Sequence, residues 1–302
     1  MASHPDRGSR WAVFLVALGA SLWATDVLFR HLLTRTLSSA ATVFCEHLIL
    51  VALLSPWLWR SRKRWGDLGA RGWAATLGIG WGGSALGLIC YTEAIRLGEP
   101  ATAALLQKLQ PIFAALLAAV LLGEREPRRI GYWVRAAAAL AAALVVSFGT
   151  EAPSLSDLRA QAALYAAAAA FIWGSSTVLG RYLLRYFDPL ELTALRVTTA
   201  LPLLGFLARN EDLPGLDPSL WGLIAGMALI PGLLALAVYY RGLQGTPASL
   251  ATLAELCFSV VAVSLKKAFL GAELSAVQIT AVLAWWAAVL WRGPRGAKAL
   301  KS

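Results

Sequence analysis

The chain carries one stretch twice. Tyr91–Glu124 reads YTEAIRLGEPATAALLQKLQPIFAALLAAVLLGE, and Tyr240–Glu273 reads YRGLQGTPASLATLAELCFSVVAVSLKKAFLGAE. Each copy has a tyrosine, a short turn closing on Pro-Ala (Pro100-Ala101, Pro247-Ala248), an apolar run, and Leu-Gly followed at once or one residue later by Glu. The likeness extends further: Leu22-Trp23-Ala24-Thr25 returns as Ile172-Trp173-Gly174-Ser175, and Arg30-His31-Leu32-Leu33 as Arg181-Tyr182-Leu183-Leu184. Self-similarity at a fixed distance decides the architecture before composition does. It predicts two halves, 1–150 and 151–302.

Each half is too apolar for water. Hydrophobic residues make up 58% of the chain and charged ones 15%, against about a quarter charged in soluble domains. Many of the 13 Trp flank the apolar runs, as in a membrane-interface belt. A spanning helix needs about 20 apolar residues. The spacing predicts spans at approximately 11–29, 40–59, 73–95, 101–122, 130–148, 160–180, 189–208, 219–240, 248–269 and 275–291. The expected fold is thus an all-α polytopic membrane protein of ten transmembrane helices. The apolar run after Arg7 and Arg10 is too long for a signal peptide and is kept as the first helix.

Lys and Arg in the loops set the orientation. With a cytoplasmic N-terminus, 17 fall inside and 5 outside (Arg30, Arg35, Arg96, Arg159, Arg209). Both termini are therefore expected in the cytoplasm. An odd number of helices per half turns the second repeat upside down, and the equivalent loops agree. Arg125, Arg128 and Arg129 follow the first Leu-Gly-Glu, whereas no basic residue follows Glu273 in the adjoining loop. Lys266 and Lys267 break the rule; they either snorkel to the headgroups or line an outer vestibule. The net charge of +10 is scattered through short loops rather than gathered in a stripe, which argues against nucleic acid. Cys45, Cys90 and Cys257 sit singly in apolar runs, with no metal or disulfide spacing, and neither metal nor cofactor is expected.

Charges deep in apolar runs carry the functional signal. Lys108 and Glu255 occupy the same place in the two copies with opposite signs; so do Glu46 and Arg196. At about 2.5–3.5 kcal/mol each, four unpaired charges would cost on the order of 10 kcal/mol, so they must meet each other or water. They read either as salt bridges joining the halves or as the lining of a polar cavity, with Lys108 facing a carboxylate and Glu255 an ammonium. Such a cavity is expected at the repeat interface, near the midplane. Trp23 and Trp173 lie mid-helix, with Asp26 and Ser176 three residues on and on the same helical face. Tyr91, Tyr239 and Tyr240 precede the duplicated turns. These rings serve packing and anchoring, or else wall a cavity for amphipathic solutes. Gln107 joins Ala104, Lys108 and Pro111 on one face of helix four; Thr252, Glu255, Ser259 and Lys266 share a face of helix nine. Glycines four apart (Gly78 and Gly82, Gly83 and Gly87, Gly222 and Gly226) and alanine runs predict close helix packing. Arg135 is expected to snorkel to the cytoplasmic interface.

The duplicated turn-Pro-Ala-helix-Leu-Gly-Glu unit resembles the EamA halves of the drug/metabolite transporter superfamily, from about Trp11 to Trp291. The single-chain, two-repeat form is most similar to YddG-type aromatic amino acid exporters. That resemblance implies alternating-access export of amino acids, aromatic and hydrophobic ones above all. It further implies a bacterial inner membrane and a chain able to work as a monomer. The alternative is export of another small metabolite or a cationic drug drawn by Asp26, Glu46 and Glu255, with proton coupling a variant of that reading. EamA halves often carry an Arg in the second helix; Arg196 matches, whereas the first half has Glu46-His47. An intramembrane enzyme is the rival class, but His4, His31 and His47 form no H-E-x-x-H, and Ser84 has no base in sequence reach. A scaffold would need neither inverted halves nor buried charges.

Overall fold

The computed structural model describes residues 6–33, 36–97, 106–148, 160–211, 213, 217–259, 261 and 275–290. Among these, all regular structure is helical. The first half contains α1 (Asp6–Trp23), α2 (Asp26–Leu33), α3 (Ser39–Ser61), α4 (Gly69–Leu77), α5 (Gly87–Leu97), α6 (Gln110–Leu121) and α7 (Ile130–Phe148). The second contains α8 (Ala160–Leu183), α9 (Pro189–Leu207), α10 (Pro218–Met227), α11 (Ala235–Gln244), α12 (Ala248–Glu255) and α13 (Ala276–Leu290). Among the described residues, Ser39–Ala94, Ala160–Leu183, Pro189–Leu207 and Pro218–Gln244 are long and apolar enough to cross a membrane. The first of these turns back on itself through a 3-10 segment, Arg62–Leu68, and Gly69, whose φ of 57° suits glycine.

Capping chemistry sets the helix starts. Ser38 accepts the Ala41 amide at the head of α3, and Asp217 accepts that of Ser219 before α10. Glu191 reaches back to the Asp188 amide at the head of α9, and Pro189 fills the first helical position, where a missing N–H costs nothing. Two helices change pitch midway. The π-helical segment Gly78–Leu86 joins α4 to α5, and Ala228–Leu234 joins α10 to α11. The first is glycine-rich and the second contains Pro231, so both offer weak support to regular i→i+4 bonding.

The helices pair across the halves, and several of these pairs run antiparallel. A Cβ on Gly242 would fall 2.6 Å from the Ala12 carbonyl oxygen, one on Gly19 beside Tyr239, and one on Gly226 beside Phe29. These contacts lay α10–α11 along α1–α2 from opposite ends. Gly78 meets Leu179 and Gly87 meets Trp173, so α4–α5 runs against α8 in the same way. Gly205 touches Phe44 at one end of the α3–α9 pair, while Arg60 and Arg64 bind Glu191 at the other. The α7–α13 pair packs apart from these, with Tyr132 and Trp285 fully buried in the core they share. The outside is apolar: Val120, Ile130, Leu164 and Leu283 are well over half exposed, as on a surface that faces lipid.

Several expectations change. The first predicted helix is interrupted at Ala24–Thr25, where the Thr25 hydroxyl bonds the Leu22 carbonyl. Asp26 therefore starts α2 rather than continuing the Trp23 face, and its carboxylate sits at the positive end of the α2 dipole. Arg135 pairs with Glu126 at 3.2 Å instead of reaching out alone. Gly222 has no neighbour that a Cβ would meet, so the packing role holds for Gly226 and not for its partner. Pro100-Ala101, Lys266, Lys267 and Leu270–Glu273 lie outside the described residues.

Gly242→Ala should force α1 from α11 and lower stability by about 1–3 kcal/mol. Gly222→Ala should be neutral. Unfolding of both variants in detergent micelles tests this; equal midpoints would show that the α1–α11 approach is not tight.

Candidate functional site

The two copies of the duplicated stretch break their helices at matching points. In the first, Lys108 and Leu109 form a turn before α6, because Pro111 can offer no N–H and Leu109 instead bonds back to the Leu106 carbonyl at 3.0 Å. In the second, α12 ends at Glu255 and a turn at Leu256 precedes a last helical piece through Ser259. Lys108 and Glu255 thus stand at helix interruptions facing one another across the halves. Backbone of this kind is tolerated at membrane depth only where protein or a water-filled space lines it.

Their side chains do not pair with each other. Lys108, which is buried, donates from Nζ to Ser259 Oγ. Glu255 accepts three donors instead: Tyr239 Oη at 2.6 Å, Thr177 Oγ1 at 3.1 Å and Gln110 Nε2. Thr177 and Tyr239 are themselves 2.9 Å apart, so the two hydroxyls and the carboxylate form one hydrogen-bonded triangle. Hydrogen bonds to a charged group are the strong ones, and an ionised carboxylate only accepts. Neutral donors therefore replace the salt bridge that the sequence offered as one possibility.

Arg196 extends the cluster. Its Nε donates to Ser84 Oγ at 2.8 Å and its Nη1 to Tyr240 Oη at 3.0 Å, and the Tyr240 ring packs 5.5 Å from that of Tyr239. Aromatic rings flank the polar groups on two sides. Trp23 stands 4.8 Å from Tyr239, and Tyr91 stands 5.4 Å from Trp173, whose indole N–H bonds the Gly83 carbonyl at 3.1 Å. Ser176 is buried beside Gly83, and its Oγ has no hydrogen-bond partner among the described residues.

Glu46 takes a mirrored place. A Cβ on Gly232 would come 3.0 Å from Glu46 Oε1; one on Gly83 would come 2.8 Å from Arg196 Nη2. Each of these repeat-related charges therefore rests against the repeat-related glycine of the opposing π segment, where a side chain would crowd it.

Of the sequence candidates, Lys108, Arg196, Tyr239 and Glu255 are held by this network, and Trp23, Tyr91 and Trp173 border it. Glu46 is buried on α3 against Gly232, and Asp26 serves the start of α2. Gln107 is half-buried and joins none of the described hydrogen bonds; the turn at Lys108–Leu109 shifts the register, so Gln110 supplies the amide. Thr252 bonds its own helix backbone at Ser249. Thr177, Ser84 and Gln110 join the network without having been selected as ligands. Small hydroxyls in alanine- and glycine-rich helices give no signal beyond packing. A crevice of about 390 Å³ lies elsewhere, at the arginine-rich end beside Trp57, Arg60, Leu190 and Arg241.

A bundle of lipid-facing helices that breaks its helices around a buried polar cluster has the anatomy of a membrane transporter. The chain matches the EamA-like transporter family twice, over residues 10–148 and 160–291. It belongs to that family. It is 30% identical to "Riboflavin transporter ImpX" of Fusobacterium nucleatum subsp. nucleatum over 279 residues, covering 89% of this chain and 93% of that one. A solved crystal structure superposes with a TM-score of 0.68 at 20% identity, over 92% of this chain and 94% of the other, which supports the fold alone.

Tyr239→Phe should remove one of the three donors to Glu255 and cost about 1.5–3 kcal/mol. In the Glu255→Gln background the same change should cost distinctly less. Equilibrium unfolding of the four proteins tests the coupling; strictly additive effects would show that the phenol and carboxylate act independently.

Proposed function

We propose that this protein is a ten-helix carrier in the bacterial inner membrane, built from two inverted five-helix repeats (1–150 and 151–302), that moves a small planar metabolite by alternating access. The antiparallel runs of α3 on α9 and of α6 on α12 support the inversion, because an odd number of spans per repeat makes equivalent helices oppose one another. The loop charges favour both termini in the cytoplasm. The observation that carries the reading is the meeting of two interrupted helices at Lys108 and Glu255, between aromatic walls and hydroxyl donors.

Riboflavin, or a ring system like it, is the favoured cargo. Its flat ring system suits stacking on rings such as Trp23, Tyr91 or Trp173, and its carbonyl and N–H edge suits a mixed set of donors and acceptors. Lys108 supplies spare capacity: an ammonium carries three N–H bonds, and among the described residues Ser259 takes one. The name carried by the relative points the same way. Amino acids are the second reading, favoured by the opposite charges of Lys108 and Glu255 on facing helices. Export is the expected direction, and a monomer, which contains both repeats, suffices.

Purified protein in liposomes loaded with unlabelled riboflavin should drive saturable uptake of labelled riboflavin. Lys108→Ala and Glu255→Gln should each lower that counterflow about tenfold or more, equivalent to about 1.4 kcal/mol of site interaction. Counterflow of tryptophan or phenylalanine with none of riboflavin would transfer the assignment to amino acids.

A further inference from the structure

The Leu-Gly-Glu ending of the first copy has a partner: the Pro-Ala start of the second. Gly123 adopts φ 66°, the left-handed turn that ends a helix, and the Glu124 amide closes it by bonding the Ala118 carbonyl at 3.1 Å. The turn aims the Glu124 carboxylate at the N-terminus of α12. It accepts the Ala248 amide at 2.6 Å, the Ser249 amide at 3.1 Å and the Ser249 hydroxyl at 2.6 Å. A carboxylate here meets both the unpaired amides of the first turn and the positive end of the dipole.

Two more ties hold the same turn. Arg181 of α8 donates to the Gln244 carbonyl, and the Tyr132 phenol of α7 donates to the Ser249 carbonyl at 3.1 Å. The turn between α11 and α12 is thus pinned by α6, α7 and α8 at once. Beyond those ties α12 is held by packing, with the small groups of Ala248, Ala251 and Ala254 buried and Leu253 the one large side chain fully buried. Glu255, the centre of the polar cluster, stands at the far end of this eight-residue helix.

We infer that Glu124 is a positioning residue and latch of the transport site. Bound, it fixes α12 and so places the Glu255 carboxylate; released, it lets α12 pivot as a unit and opens the arginine-rich end of the bundle. This rests on the carrier reading above. Release is feasible because Glu124 is half-buried, so water can take over its hydrogen bonds when the cap opens.

Cross-linking separates a latch from a static cap. Glu124→Cys and Ala248→Cys are combined with Cys45→Ala, Cys90→Ala and Cys257→Ser, and the folded protein is bridged by a short bis-methanethiosulfonate. Riboflavin counterflow should fall about tenfold or more and return on reduction, since reversal excludes misfolding. Independently of any cargo, amide exchange at residues 248–249 should be about tenfold faster in Glu124→Gln than in the wild type. Full counterflow in the bridged protein, or equal exchange in Glu124→Gln and wild type, would overturn the latch. If the unbridged protein moves no riboflavin, the cargo assignment fails and the bridged and unbridged proteins are compared by tryptophan counterflow instead, equal amide exchange still overturning the latch.

Discussion

The bilayer interior holds no water, so a charged group placed there must be hydrogen-bonded by the protein or by what the protein carries. Glu255 meets that demand with a phenol, a threonine and an amide drawn from three other helices. Those bonds fix where α6, α8, α11 and α12 stand relative to one another. The helix interruptions at Lys108–Leu109 and Leu256 then follow as part of one arrangement, because they turn polar side chains and backbone toward the same interior region. Packing alone would have allowed straight helices and an apolar core.

Duplication left the frame intact and changed the chemistry. Glu46 and Arg196 occupy equivalent places, each against the glycine of the opposing π segment, yet one is an acid and the other a base. Lys108 and Glu255 differ in the same way. A symmetric scaffold therefore encloses an asymmetric interior, which is the requirement for holding a cargo with distinct ends. The frame is not perfectly symmetric either: α1 and α2 are separated at Ala24–Thr25, whereas α8 runs unbroken from Ala160 to Leu183.

Much of this was legible in the sequence, for definite reasons. The apolar runs place α3, α7 and α9 within two residues, because short polar and charged loops bound them sharply. The buried charges stood out because their cost in lipid is large. What escaped was geometry. Gln110 replaces Gln107 because the turn before Pro111 alters the helical register, which periodicity cannot foresee. The π segments left only Gly78, Gly80, Gly82, Gly83 and Pro231 as traces, and these read equally well as packing residues. The role of Glu124 was hidden because its partners lie more than a hundred residues away, although both ends of the contact belong to the motif that the repeat exposes.

The central claim is that the cluster around Glu255 opens to one side of the membrane and then to the other. Ser259→Cys, placed beside Lys108 in a chain carrying Cys45→Ala, Cys90→Ala and Cys257→Ser, reports on it directly in liposomes of defined orientation. A membrane-impermeant maleimide should label this position when added from either face. Labelling from one face alone, or from neither, would contradict the account.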